Sequence, residues 1–537
     1  MRPRDLTRLA AGSYDLLVIG GGIAGLTIAY EASSRGLRTA LVDAADFGGA
    51  TSFNLQKTAH GGLRSLQSGR LDRALESIHE RRALARIAPW LLRPLPFLVG
   101  TYRSWTRSRL ALRAAFTIDG MLGRRRNDGL EPELHLPVPR LLSKAAMLRL
   151  FPGINPDGLT GGAQWYDYQM VEAERLTFAF AEAADRRGAD LANYVEAVAA
   201  TREGPRVTGM EARDTLTGRT FTISARATVN ATGARTATVM ALFGDPRPVP
   251  MLKAMNLITT VPASDIALAA PSATGRMLTL VPWRGCALIG TSQSPLAAGA
   301  SGTSVTSAEV AAFVGEANSA FPSLGLTPAR VSLVHRGIVP AAGDGRTDLR
   351  SHGSLIEHAG RSAFSVLGLK YTTARRVAEQ TVDAIARTLK VAARPSRTAV
   401  AMLPGASIAD HEALAIETAR ALHLEVPPRT LTHLTTRYAE RAADIVRLMK
   451  ERPEWMEPLD RGCAATGAEV IHVIRQEMAV HLTDILMRRT ALGAAGHPGR
   501  AVVEACAAIA GRELGWDAAR IADEIRALDD VYRIDPS

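Results

Sequence analysis

Three glycines and one carboxylate carry the clearest chemistry in this sequence. In Gly20-Gly21-Gly22-Ile23-Ala24-Gly25 the first, third and sixth positions are glycine, a spacing that suits a turn wrapped around a phosphate. The first glycine permits a tight turn. The second lets the backbone approach a pyrophosphate, and the third lets the next helix pack against the preceding strand. A phosphate there meets a helix N-terminus, whose amides and dipole favour an anion. Asp43 follows Gly25 by eighteen residues and is placed to accept hydrogen bonds from a ribose diol. The loop alone does not separate NAD from FAD. Three later segments add to it. Ala50-Thr51-Ser52 leads to Lys57 and to His60-Gly61-Gly62-Leu63-Arg64. A short apolar run enters Val229-Asn230-Ala231-Thr232-Gly233. Gly368-Leu369-Lys370-Tyr371-Thr372-Thr373 precedes a helical pattern.

The elements around the glycine loop follow from hydrophobic pattern. Residues 15–19 are a compact apolar run, as in a strand buried on both faces. Helix formers fill 26–34 and Gly36 ends that helix; residues 38–43 read as the next parallel strand, completing a βαβ unit. Residues 70–87 are helical and charged. Strand-like runs at 227–231, 277–281 and 287–289 alternate with turns, so 150–350 reads as a substrate domain threaded with the dinucleotide domain. Residues 362–367 form another strand. Beyond Leu403-Pro404-Gly405-Ala406 the pattern turns helical. Thr466 and Glu469 form a capping box, and Val470, Ile474, Met478, Leu482 and Ile485 repeat on one helical face. The fold expected is α/β. A Rossmann-like dinucleotide-binding domain interleaves with a mixed-sheet substrate domain over residues 1–406, and an all-α domain covers 407–537.

Composition excludes several classes. At 47% hydrophobic and 22% charged residues over 537 positions, the chain reads as a globular enzyme with a large core. Cys286, Cys463 and Cys506 are far apart with no CxxC spacing, which points to neither a zinc site nor a redox pair. The net charge of +11 suits an anionic substrate or lipid, while 5% aromatics and no known module argue against nucleic acid. No run is long enough to span a bilayer, and the apolar stretch at 16–19 is too short for a signal peptide, so the chain is expected in the cytoplasm.

The sequence resembles the FAD-dependent glycerol-3-phosphate dehydrogenases, within the D-amino-acid oxidase-like superfamily. The resemblance spans about residues 13–530. It rests on Lys57-x-x-His60-Gly-Gly-Leu-Arg64, Tyr166-Asp167-x-Gln169 with Arg175-Leu176, Ala231-Thr232-Gly233, Lys370-x-Thr-Thr373 and Leu403-Pro-Gly-Ala406. In the helical domain it rests on Arg475-x-Glu477-Met478-Ala479 and Asp484-x-Leu486-x-Arg488-Arg489-Thr490. The resemblance implies oxidation of sn-glycerol 3-phosphate to dihydroxyacetone phosphate, with hydride passing from C2 to flavin and electrons then to quinone. The implied cofactor is FAD, held by Gly20, Gly22, Gly25, Asp43, Thr51, Ser52, Lys57, His60, Gly61, Gly62, Val195, Ala231, Gly233, Gly368, Lys370 and Thr372. Arg64, Lys370 and Arg350 match family cations at the flavin or substrate; a surface ion pair and a solvated lysine are the competing readings for the first two.

Departures cluster in the implied substrate pocket. A family Gly-x-Arg-Pro is Gly337-Ile338-Val339-Pro340 here, and a family Lys-Gly-x-His is Lys253-Ala254-Met255-Asn256. Asn256 donates hydrogen bonds but is no base at neutral pH. Gln293 replaces an aspartate, and Ala234-Arg235 replaces Pro-Trp. Strand alternation puts His335 on the face of Val339 and Arg336 on the other. Two readings stand for His335: a substituted base or phosphate contact, or a satisfied core histidine. The alternative function is FAD-linked dehydrogenation or oxidation of a different hydroxy or amino substrate; a flavin-binding partner without turnover is the rival from another class. Residues 91–126, with Phe97, Trp105, Leu110, Leu112 and Phe116 among arginines, match a family region of peripheral membrane binding, against the reading of a solvated basic helix. The expected partners are a small-molecule substrate, glycerol 3-phosphate or similar, a quinone, the inner face of the cell membrane and a second copy of the chain.

Overall fold

The computed structural model describes the chain except at residues 68, 103–108, 264, 297–302, 343–351, 407–409, 462 and 537, and leaves aside the side chains at 64, 67, 109 and 111. It forms two compact units. One comprises Met1–Phe53, Glu172–Pro250 and Gly353–Arg533, the other Asn54–Val171, Met251–His352 and Ile534–Ser537.

The first unit is built on a sheet with the strand order Ser354–His358, Ala363–Leu367, Thr220–Asn230, Ser13–Ile19, Thr39–Val42, Asp190–Ala192. From Ala363–Leu367 onward neighbours run parallel, with Leu16 registered against both Ala227 and Thr39. Leu16, Leu17 and Val18 are fully buried, as a strand covered on both faces requires. The helix Ile23–Ser34 packs between Ala173–Arg186 and Ala374–Leu389. The strand Thr220–Asn230 therefore belongs to the dinucleotide sheet, and the span 150–350 is not one substrate domain: 172–250 lies in this first unit.

Helices at His411–Ala421, Pro428–Tyr438, Ala442–Glu451, Gly467–Glu477, Arg500–Leu514 and Ala518–Tyr532 follow in the same unit. The Thr466/Glu469 capping box is present. The single helical face expected through Ile485 is not. Met478 turns into the left-handed region at φ 56, and the Asp484 carboxylate accepts from the amides of Val480 and His481. A separate π-helical turn, Asp484–Arg489, begins there.

The second unit is built on a nine-stranded, mostly antiparallel sheet. Val331–Pro340, Met251–Pro262, Cys286–Pro295, Met277–Trp283, Ala267–Pro271, Leu92–Tyr102, Leu159–Met170 and Thr58–Ala59 lie in that order, with Arg140–Ser143 also against Leu159–Met170. The helix Ser307–Ala320 covers one face, packing Val310, Phe313 and Ala317 on Met255, Leu257 and Val334.

In the basic stretch 91–126 several of the apolar residues named for a lipid surface are packed inside the unit. Leu92–Tyr102 is an inner strand, and Phe97 stacks on Trp165 with ring centroids 5.3 Å apart. The helix Arg109–Leu122 buries Leu112 and Phe116 and exposes Leu110, Ile118 and Met121. Of the five apolar residues named for a lipid surface, three are core; Leu110 is exposed, and Trp105 lies outside the described residues. Among the described residues no helix is long and apolar enough to cross a membrane.

Candidate functional site

The C-terminal ends of the parallel strands gather the first set of residues, where open α/β sheets place their ligands. Gly20 has φ +106, and a Cβ there would lie 2.7 Å from the carbonyl oxygen of Ala231. A Cβ on Gly25 would lie 1.7 Å from the Gly20 oxygen, so the helix approaches the strand only because that atom is missing. Gly22 precedes the helix Ile23–Ser34 with no side-chain cap of its own; the amide of Ile23 donates to Ser52 Oγ at 2.9 Å. Asp43 ends the neighbouring strand and accepts from the amides of Gly21 and Ala45. Burial pushes its carboxyl up to about 6 against the pull of those two amides.

The remaining first-unit candidates collect at the same sheet end. The amide of Val195 donates to the Asp43 oxygen at 2.7 Å, and that of Ala231 to the Ile19 oxygen at 2.8 Å. Gly233 opens a short turn after Thr220–Asn230. Gly368 and half-buried Lys370 follow Ala363–Leu367, and buried Thr372 enters the turn before Ala374–Leu389. Thr51 is exposed on the loop before Ser52. Asn230 was missed as a site residue: its Oδ1 accepts from the amide and hydroxyl of Thr232, and its Nδ2 donates to Ser365 Oγ at 3.1 Å. Its signal was its place in the Val229–Gly233 motif. A backbone-lined cradle, an open helix N-terminus and a carboxylate at the second strand together fit FAD.

The second unit holds the other set. Pairing of Thr58 with Gln169 and Ala59 with Tyr168 fixes the short strand between Lys57 and His60. Lys57 is fully buried, its Nζ 4.9 Å from the centre of the Trp283 ring. The His60 side chain is 47% exposed, with Nδ1 3.2 Å from Asp167 Oδ2. The Gly61 amide donates to Asp167 Oδ1 at 2.7 Å, and Arg81 pairs with the same oxygen. Gly62 follows against Ser77, which a Cβ there would meet at 2.8 Å. Burial opposes ionisation of Asp167, but His60, Arg81 and the Gly61 amide hold its carboxyl below the ordinary range. Asp167 and Arg81 were absent from the sequence-derived site, although Asp167 stood in the Tyr166–Gln169 motif.

His335 and Asn256 are directly opposed across the antiparallel pair Val331–Pro340 and Met251–Pro262. Alternation sets them on the face away from the Ser307–Ala320 helix, with Val339 on their side and Arg336 on the other. Asn256 Nδ2 donates to the Asn54 oxygen at 3.1 Å and Oδ1 accepts from Thr291 at 2.8 Å. His335 is fully buried; burial first, then the Lys57 charge, push its imidazole well below the usual histidine range, so it is neutral at pH 7. The Arg64 side chain and Arg350 lie outside the described residues.

Comparison with known proteins agrees with this layout. A family model of FAD dependent oxidoreductases matches residues 15–383, and one for the C-terminal domain of alpha-glycerophosphate oxidase matches 396–521. A glycerol-3-phosphate dehydrogenase from Synechocystis sp. is 32% identical over 91% of this chain and 90% of its own. The mitochondrial glycerol-3-phosphate dehydrogenase of Homo sapiens is 30% identical over 95% of this chain and 72% of its own. The crystal structure of a Bacillus halodurans glycerol-3-phosphate dehydrogenase complexed with FAD superposes with a TM-score of 0.77 at 23% identity, covering 98% of this chain and 95% of that one. That likeness fixes the fold. The glycine cradle, the strand-end carboxylate and the two matched domains together make this chain an FAD-dependent oxidoreductase of the glycerol-3-phosphate dehydrogenase family.

Proposed function

We propose that this enzyme oxidises the C2 hydroxyl of sn-glycerol 3-phosphate to give dihydroxyacetone phosphate and passes the electrons to quinone. The observation that carries the reading is the family match along both domains, with glycerol-3-phosphate dehydrogenases similar over more than nine-tenths of the chain. Bound FAD supplies the hydride acceptor. Gly20, Gly22, Gly25 and Ser52 would hold its pyrophosphate, Asp43 the adenosine ribose. Thr51, Val195, Ala231, Gly233, Gly368, Lys370 and Thr372 would line the rest of its site; the family resemblance gives Lys57, Gly61 and Gly62 a cofactor role as well.

The proton leaving the hydroxyl needs a base. His60 presents an exposed imidazole backed by an ionised, buried carboxylate, the arrangement that orients a histidine for proton transfer. His335 is covered on all sides and suits the packed-histidine reading better. Asn256 holds the Asn54 backbone rather than a proton. Positive charge for the phosphate and the developing oxyanion is the role that the family resemblance gives Lys370, Arg64 and Arg350. Leu110, Ile118 and Met121 beside Arg113, Arg124 and Arg125 support peripheral contact with anionic lipid.

The second reading, another hydroxy or amino substrate, is favoured by apolar Val339 on the His335 face. One experiment separates the two. Without oxygen, glycerol 3-phosphate should bleach the flavin absorbance within seconds. No bleaching with it, but bleaching with another alcohol or amine, would overturn the substrate and keep the chemistry.

A further inference from the structure

A charged cluster in the first unit takes no part in the chemistry above, although it contains the Asp484–Thr490 motif. At its centre is Asp46, three residues beyond Asp43 and 1% exposed. Arg489 grips it with both terminal nitrogens, Nη1 to Oδ2 at 2.9 Å and Nη2 to Oδ1 at 2.8 Å. Arg488 Nε reaches Oδ2 at 2.6 Å. Burial opposes ionisation of Asp46; Arg489 and Arg488 overcome it and hold the carboxyl at about 2.

The two arginines are themselves fixed. Arg489 Nη2 donates to the Glu477 oxygen at 3.0 Å, and Arg488 pairs with Asp484, whose Oδ1 also accepts from Tyr194 at 2.7 Å. Asn193 Nδ2 bridges Asp46 Oδ1 at 3.1 Å and the Met478 oxygen at 2.8 Å. On its other side the same loop meets the glycine turn. Gly48 N donates to the Gly21 oxygen at 2.9 Å, Gly21 N to Asp43, and Tyr194 N to the Ala45 oxygen at 3.0 Å. Residues 43–49 are thus held between the glycine turn and two guanidinium groups of the C-terminal helical segment.

We propose that Arg488 and Arg489 are positioning residues for the cofactor: by locking Asp46 they fix the 43–49 loop so that Asp43 meets the adenosine ribose in one orientation. The C-terminal helical segment would then be part of the FAD site rather than an appendage to it. The proposal rests on FAD at the Gly20–Gly25 turn and on no particular substrate, so failure of the glycerol 3-phosphate reading leaves it standing. A buried bidentate arginine is not replaced by lysine, which keeps the charge and loses the fork.

The test is a double-mutant cycle on FAD affinity. Arg489→Lys, Asp43→Asn and the double variant are prepared as holoenzymes, and FAD release on dilution is followed by flavin fluorescence. Each single change should raise the FAD dissociation constant about tenfold, and the double variant by less than about threefold beyond the worse single one, because both act on one contact. Amide hydrogen exchange in the FAD-saturated Arg489→Lys protein should rise at residues 43–49 and stay unchanged across the helix Ile23–Ser34. A folded Arg489→Lys protein with wild-type FAD affinity, or a double variant showing the full product of the two single effects, overturns the proposal. If Arg489→Lys does not fold, Arg488→Lys carries the same cycle with the same overturning outcomes.

Discussion

The cofactor end of the first unit and the His335–Asn256 face of the second are built from different materials. At the glycine turn the working atoms are backbone amides, brought close by side chains that are missing, as the 1.7 Å approach at Gly25 shows. Apart from Ser52 and Asp43, side-chain identity matters little there. On the second-unit face the work falls to side chains: Asn256 ties a neighbouring backbone, Lys57 sits over Trp283, and His335 is fully buried opposite Asn256. A backbone site changes only by losing a glycine. A side-chain site changes with every substitution, and the departures read from the sequence, at Asn256 and Val339, fall there.

Five experiments would break or sharpen this contrast. The largest effect is expected at Gly25→Val, whose side chain must collide with the Gly20 carbonyl; the protein should purify without bound flavin, read from its visible absorbance. A yellow Gly25→Val protein would show that the turn tolerates side chains after all. Next comes His60→Asn, which should keep its flavin yet lose about 10²- to 10⁴-fold in kcat, the scale of a general base. His335→Gln should leave kcat within about tenfold, as a packed residue would; the reverse ranking would move the base to the second-unit core. Asn256→Ala leaves the Asn54 carbonyl and the Thr291 hydroxyl without their bond, and urea unfolding should register a loss of about 1–3 kcal/mol.

The smallest effect is one of pH. Burial raises the carboxyl of Asp43 to about 6, so it becomes protonated as pH falls through that value. The ionised form is the better acceptor for a ribose diol. FAD affinity should therefore weaken below pH 6 by at most about tenfold per unit, and titration across pH 5–7 should find this slope gone in Asp43→Asn. The stability linkage runs the other way. A carboxyl raised in the fold destabilises it progressively as pH rises from the ordinary range to about 6, since the unfolded chain ionises first.

Legibility followed the same division. The tight turn at Gly20–Gly25 and the strand-end place of Asp43 are legible from spacing, because local backbone geometry dictates those types. Within 91–126 the sequence does not separate a strand from an interfacial or solvated helix, since arginines between apolar residues look alike in each; pairing of Leu92–Tyr102 with Leu159–Met170 makes that part a strand. The helical face drawn through Ile485 failed because nothing in a periodic pattern reports the left-handed turn at Met478.

By itself the sequence determined the dinucleotide turn, the alternation of strands and helices around it and the helical character beyond residue 406, since each depends on short-range spacing. Only the tertiary structure set Asp167 behind His60, sealed His335 opposite Asn256 and closed Arg488 and Arg489 on Asp46. Those pairs lie 79 to 443 residues apart along the chain, and no local rule ties such partners together before the sheets form and bury them.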